Sequence, residues 1–222
     1  MDFYPLFNSL RIAFFSSLIV FFSGIFTAYY ISKLPRVIKG SADVLLTLPL
    51  VLPPTVVGFF LILIFGVNTP IGVFLSKFNI KLVMTWYGGI LASSVVSFPL
   101  MYRTVRGAFE SYDESLSEAG KTLGLSNTYI FWNVRLPACK DGIIAGFVLS
   151  FARALGEYGA TSMLIGYTPG RTATISTTVY QLWRTDNEAE ALIWVLINLA
   201  ISFIVLLSVN MIEVKYKRIY KK

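Results

Sequence analysis

Long uncharged apolar runs, separated by short polar clusters, dominate this chain. Arg11 and Lys33 bound a first run with no charge from Ile12 to Ser32. A second extends from Val44 to Ser76, and a third lies between Lys81 and Arg103. A fourth covers Gly142 to Ile165, and a fifth covers Ala191 to Ile212. About 20 mostly apolar residues in a helix cross the roughly 30 Å of bilayer hydrocarbon. The pattern predicts an all-α integral membrane protein with five transmembrane helices, at about 12–32, 44–67, 82–102, 142–165 and 191–212. Together they form one domain over 1–222, with a polar loop at about 106–141. The first run is too long for a signal-peptide core and no basic cluster precedes it, so it reads as a retained helix. No internal repeat is visible.

Composition agrees with that picture and narrows it. Hydrophobic residues make up 55% and charged residues 14%, against roughly 25% charged in an average soluble domain. Mean hydropathy is +0.68. These numbers exclude a disordered chain and disfavour a soluble globular enzyme, because a soluble domain of this length has no room to hide so much apolar surface. Histidine is absent, which removes the commonest general base and metal ligand. The single Cys139 allows neither an internal disulfide nor a multi-thiolate metal site. No metal site and no catalytic residue are expected.

The net charge is +7. In a membrane protein the placement of Lys and Arg matters more than the sum, because cytoplasmic loops concentrate them. Lys33, Arg36 and Lys39 follow the first run, and Arg103, Arg106, Lys121, Arg135 and Lys140 fall between the third and fourth. The tail holds Lys215, Lys217, Arg218, Lys221 and Lys222. The opposite side receives only Arg11, Lys77, Lys81, Arg171 and Arg184, and Arg153 lies inside a span. The N-terminus is therefore expected outside and the C-terminus in the cytoplasm. The partner implied by this charge is a lipid bilayer, with no nucleic acid.

Two spans carry unusual residues. Pro49, Pro53 and Pro54 interrupt the second, and each removes a backbone donor. Freed polar backbone at membrane depth is tolerated only against protein or a water-filled cavity. Pro53, Pro54 and the hydroxyl of Thr55 are thus candidates for a pathway-lining break. In the fourth span Arg153 and Glu157 stand four apart, on one helical face. Intramembrane charge faces a bundle interior or a cavity, so the pair is either an internal ion pair or an electropositive element beside an anion path. Ser93, Ser94 and Ser97 offer hydroxyls for an oxyanion or for helix packing. Trp86, Tyr87, Tyr180 and Trp183 are expected as anchors at the outer boundary.

The polar loop is the most informative segment. Ser111 to Leu123 reads as an amphipathic helix with Leu116, Ala119 and Leu123 along one side, ended by Gly124. Pro137 is expected to limit the next helical piece. Glu118-Ala119-Gly120, three residues, Gly124, nine residues, Val134, one residue and Leu136-Pro137 resemble the cytoplasmic loop signature of ABC importer permeases. That signature reads E-A-A, then a spaced G, an aliphatic and L-P. Gly120 stands where the second Ala is usual. Leu48 to Gly58, Ser97 to Arg103, Ser150 to Thr161 and Pro169 to Thr172 extend the resemblance toward the molybdate/sulfate branch, molybdate first.

The resemblance implies a type I transmembrane domain and a translocation path formed by a homodimer. It also implies an extracytoplasmic oxyanion-binding protein and coupling through the loop to separate cytoplasmic ATPase subunits. Glu118, Ala119, Gly120, Gly124, Val134, Leu136 and Pro137 would form the coupling element, acting as a lever. No G-x-x-x-x-G-K-[ST] loop is present, and Gly166 to Thr172 imitates it with glycine spacing one short and Arg for Lys. ATP and Mg therefore belong to the partner, and this chain is a transport subunit of a prokaryotic cell membrane. Sulfate, thiosulfate and tungstate stay open as alternative cargo. A channel or secondary transporter fits the spans equally well but needs no coupling loop.

Overall fold

The computed structural model describes the backbone of residues 2–219 and the side chains of residues 2–207. The tail cations from Lys215 onward lie outside the described side chains. Among the described residues all regular structure is helical. In chain order the helices are α1 (Tyr4–Ser32), α2 (Arg36–Val51), α3 (Pro54–Phe65), α4 (Pro70–Ser76), α5 (Trp86–Glu110) and α6 (Glu114–Thr122). Then come α7 (Asn127–Ile130), a π-helical turn (Phe131–Arg135), α8 (Leu136–Ala138) and α9 (Lys140–Leu155). The last are α10 (Gly159–Ile165), α11 (Ile175–Arg184) and α12 (Glu188–Ile219).

The centre is a three-helix packing of α1, α5 and α9. Val20, Ile25 and Ala28 of α1 meet Met101, Tyr102, Val105 and Phe109 of α5, with Ile143 of α9 completing the cluster. Small residues let the backbones approach, as membrane helix interfaces require. A Cβ on Gly24 would stand 2.6 Å from Cγ of Met101. A second cluster joins Ile12, Ala92 and Val96 to Val57 and Leu61 of α3 and to Ala160, Leu164 and Ile165 of α10.

Among the described residues two helices, α1 and the stretch Glu188–Leu207 of α12, are long and apolar enough to cross a membrane, and up to four spans result if each bent helix pair counts as one. The expected second span is two helices: α2 and α3 meet at 111°. Pro53 and Pro54 cannot donate backbone hydrogen bonds, so the ladder stops at Leu52 N to Leu48 O and restarts with Val57 N to Pro53 O. The expected fourth span is also two helices, α9 and α10, bent by 53°. The third expected span, α5, is 25 residues long and continues past residue 102 to Glu110. The polar loop therefore begins one to two turns later than the charge pattern implies.

Candidate functional site

The two helix breaks lie against each other. Gly159, at the start of α10, touches the start of α3: a Cβ there would stand 2.8 Å from Cβ of Pro54 and 3.1 Å from N of Thr55. Gly58, one turn into α3, would press a Cβ to 2.9 Å from Cα and O of Ala160. The prolines and the Glu157–Gly159 break thus form one junction of two interrupted helices. Pro53 and Thr55 remain exposed on it.

Glu157 does not continue α9, which ends at Leu155. This corrects the expectation of one helical face. The carboxylate nevertheless reaches back: Oε2 stands 2.6 Å from Nη1 of Arg153, as an ion contact without an aligned hydrogen bond. Oε1 accepts from the backbone N–H of Ala160 at 2.7 Å. That bond satisfies one of the free donors at the start of α10. The Glu157 side chain is 1% exposed and the Arg153 side chain 29%, so the pair presents its cation outward and its anion inward.

Behind Glu157 is a polar cavity of about 10 Å³, lined by Ser9, Ser93, Thr161 and Thr174 among others. Such a volume is near the minimum for one water. Ser93 Oγ, Ser94 Oγ and Thr161 Oγ1 are buried with no hydrogen-bond partner among the described residues. Ser97 is different, because its hydroxyl donates to Ser93 O at 2.6 Å within its own helix. The structure thus brings Ser93 to Glu157, and leaves Ser94 and Ser97 buried in α5.

The loop signature is folded as follows. Asp113 caps α6, accepting from Ser115 N at 3.0 Å, and the hydroxyl of Ser115, followed by its backbone N–H, holds the Asp113 carboxyl below the usual range. The amphipathic helix is shorter than expected, Glu114–Thr122, and the side it buries is Ser117 and Gly120. The apolar side faces outward: Leu116 is 47% and Leu123 78% exposed, with Glu118 and Ala119 also exposed. Gly124 ends the helix at φ +77°, and Leu125 N donates to Gly120 O at 3.1 Å, a Schellman-type closure. A Cβ at Gly120 would stand 3.1 Å from Cδ1 of Ile130, so glycine spares a contact that alanine would tighten.

Pro137 sits in the three-residue α8, which ends at Ala138 before the turn at Cys139. A π-helical turn, Phe131–Arg135, stands just before it, a feature that is rare and mostly occurs as a single turn within helices. Cys139 N donates to Arg135 O at 3.0 Å. Val134 and Leu136 are half-buried, and Pro137 is exposed.

The sequence profile of binding-protein-dependent transport system inner membrane components matches residues 20–218. The chain belongs to this family. It is an ABC importer permease and a membrane protein. It is 42% identical over 197 residues to the molybdenum transport system permease protein ModB of Escherichia coli K12, covering 86% of both chains. It is 36% identical over 205 residues to the putative molybdenum transport system permease protein YvgM of Bacillus subtilis 168, covering 92% of this chain and 90% of that one. Against the sulfate transport system permease protein CysT of E. coli K12 it is 36% identical over 177 residues, 79% of this chain and 64% of that one. Among solved structures, a bacterial ABC transporter that imports the acidic polysaccharide alginate superposes with TM-score 0.77 at 18% identity, covering 96% of this chain and 78% of that one. The MetNI methionine ABC transporter in an inward-facing conformation gives 0.71 at 13% identity, covering 94% and 93%.

In this permease, two ionic clusters escaped the sequence pattern. Arg135 is buried, pairs with Glu114, reaches Ser117 Oγ at 3.3 Å and lies over the ring of Tyr112 at 4.8 Å. It pins α6 to the π-helical turn. Asp43 accepts from Tyr102 Oη and from Arg106, and Lys39 pairs with Glu110. These contacts hold α2, none of whose residues is buried, against the end of α5. The i,i+4 spacing of Arg106 and Glu110 was the only signal available for them.

Cys139 is 5% exposed, and burial pushes its thiol up against a smaller opposing pull from Arg135. Because the thiolate is the reactive form, the folded permease should resist N-ethylmaleimide at pH 7.4 and label fully in detergent-denatured form. With a single cysteine in the chain, the mass shift reads out this one site. Rapid native labelling would contradict the burial.

Proposed function

We propose that this chain is the molybdate-conducting permease subunit of an ATP-driven importer. It works as a homodimer with five spans, its N-terminus outside. The observation that carries the cargo assignment is the 42% identity to a molybdenum permease over 86% of both chains. Five helices are too few to enclose a tetrahedral dianion, and a two-fold axis supplies the second wall. The exposed junction at Pro53, Pro54 and Thr55, with Arg153 as the electropositive element, is the candidate path. Sulfate is the second reading, favoured by the relation to the sulfate permease.

The orientation is supported by where the charges gather. Tyr4 Oη donates to the carbonyl of Arg171, and Arg11 lies 3.9 Å over Trp86, so cations assigned outside share one end. Arg106, Lys39 and Arg135 collect with the loop. At the outer end Tyr180 and Trp183, rings 6.2 Å apart, suit boundary anchoring.

The loop acts as the lever: Leu116, Glu118 and Leu123 dock on a separate ATPase that holds ATP and Mg. Closure of the ATPase pair rotates the spans. An extracytoplasmic binding protein delivers the anion. The test is reconstitution with both partners in vesicles. ATP-dependent molybdate uptake that excess sulfate fails to suppress is expected, and sulfate uptake exceeding molybdate would replace the assignment. Gly124→Pro cannot adopt φ +77° and loses the Gly124 N–H to Lys121 O bond of 2.9 Å. It should insert normally yet lose ATPase association and uptake. Unchanged uptake would remove the loop from the coupling role.

A further inference from the structure

A cleft of about 290 Å³ opens between the last turns of α1 and the segment 127–132. Its walls divide by chemistry. Phe26, Phe131 and Trp132 supply its apolar lining, and Lys33, Asn127 and Thr128 its polar and cationic lining. The apolar part continues the uncovered face of α1, where Phe22 is 51%, Phe26 40% and Tyr30 64% exposed. From Phe22 to Lys33 that face extends about 16 Å at 1.5 Å per residue, the scale of an acyl chain. The polar part is cationic. Lys33 donates to Tyr29 Oη and lies 3.7 Å over its ring, and no carboxylate pairs with it among the described residues. An adjoining cleft shares Lys33 and adds Lys121, Arg135 and Glu114, three cations against one carboxylate.

We infer that this cleft binds an acidic phospholipid of the cytoplasmic leaflet, with its phosphate at Lys33 and an acyl chain along Phe26 and Phe22. An occupant must be apolar along one stretch and anionic at its end, and basic pockets at the cytoplasmic ends of membrane helices recognise such headgroups. Tyr30 and Trp132 sit where ring and polar edge both find suitable surroundings. The lipid bridges α1 to the segment that carries the loop signature. The inference rests on the orientation proposed above, which puts this end of α1 in the cytoplasm.

The test is native mass spectrometry of the full chain in detergent, titrated with phosphatidylglycerol or phosphatidylcholine. Wild type should retain phosphatidylglycerol preferentially. Lys33→Gln and Thr128→Glu, both at partly or fully exposed positions, should each cut that preference about fivefold, the equivalent of roughly 1 kcal/mol per surface charge. Their lipid-free melting temperatures should match wild type. Equal retention of the two lipids, or retention unaffected by either substitution, overturns the inference. Displacement by millimolar inorganic phosphate would assign the cleft to free anions instead, and displacement by the added ATPase subunit would assign it to protein docking. Lipid retention is read without transport. A chain that holds phosphatidylglycerol but fails to import molybdate refutes only the earlier reading.

Discussion

Glu157→Gln should lower the melting temperature of the permease sharply, and adding Arg153→Met should restore most of the loss. One carboxylate does two jobs. Oε2 neutralises Arg153 at 2.6 Å, while Oε1 accepts from Ala160 N at 2.7 Å. Glutamine keeps an acceptor for Ala160 but leaves the cation without its partner. One-sided loss of a buried pair typically costs about 3–5 kcal/mol, whereas apolar replacement of both members is often neutral. The pair is asymmetric, with Arg153 29% exposed, so the lower end of that range applies. Glu157→Met should cost about 1 kcal/mol more than Glu157→Gln, because the cap on α10 is lost as well. Thermal unfolding in detergent of the two singles and the double Arg153→Met/Glu157→Gln decides the matter. Additive losses would show that the residues do not couple. Uptake then separates structure from path: a stable double variant that no longer imports gives Arg153 a role toward the anion. A stable double variant that still imports makes the pair structural.

How much of this was legible beforehand depends on the range of the interaction. The helix-ending role of Gly124 is local, a matter of one left-handed residue closing a short helix, and the sequence states it. The break at Pro53-Pro54 is local too, since a missing donor needs no tertiary context. Its size was not legible, because 111° is set by what α3 packs upon, chiefly α10. The end of α9 escaped for a similar reason. Nothing in Ala154-Leu155-Gly156-Glu157 forbids a continuous helix, and the break persists because Glu157 finds Ala160 N and Gly159 finds Pro54. Pro137 was read locally and α8 does end at Ala138, but the π-helical turn before it had no signal in the residue pattern. The outward display of Leu116 and Leu123 was also hidden. Apolar residues along one side of a helix ordinarily point into the chain, and here that side is left for something else.

The same substitution at three glycines should have opposite effects. Gly58→Ala should destabilise the permease strongly, while Gly40→Ala and Gly107→Ala should leave it unchanged or more stable. All three lie in helices, where alanine is favoured over glycine by about 1 kcal/mol at an unhindered site. Among the described residues Gly40 and Gly107 have nothing within 4 Å of an added Cβ, so propensity alone acts there. At Gly58 the added atom would stand 2.7 Å from Met163 Cβ and 2.9 Å from both Cα and O of Ala160. Two of those three are backbone atoms, which cannot rotate away, so α3 and α10 must separate. Overpacking of this kind typically costs about 1–3 kcal/mol, and with immovable backbone atoms in the way the upper part of that range applies, above the propensity gain. The separation would open the junction where both helix breaks meet, so uptake should fall further than the stability loss alone explains. Melting temperatures of the three variants, with molybdate uptake measured well below each, test this. If Gly58→Ala melts like Gly107→Ala and imports normally, the close approach of α3 to α10 is not what holds the two breaks together.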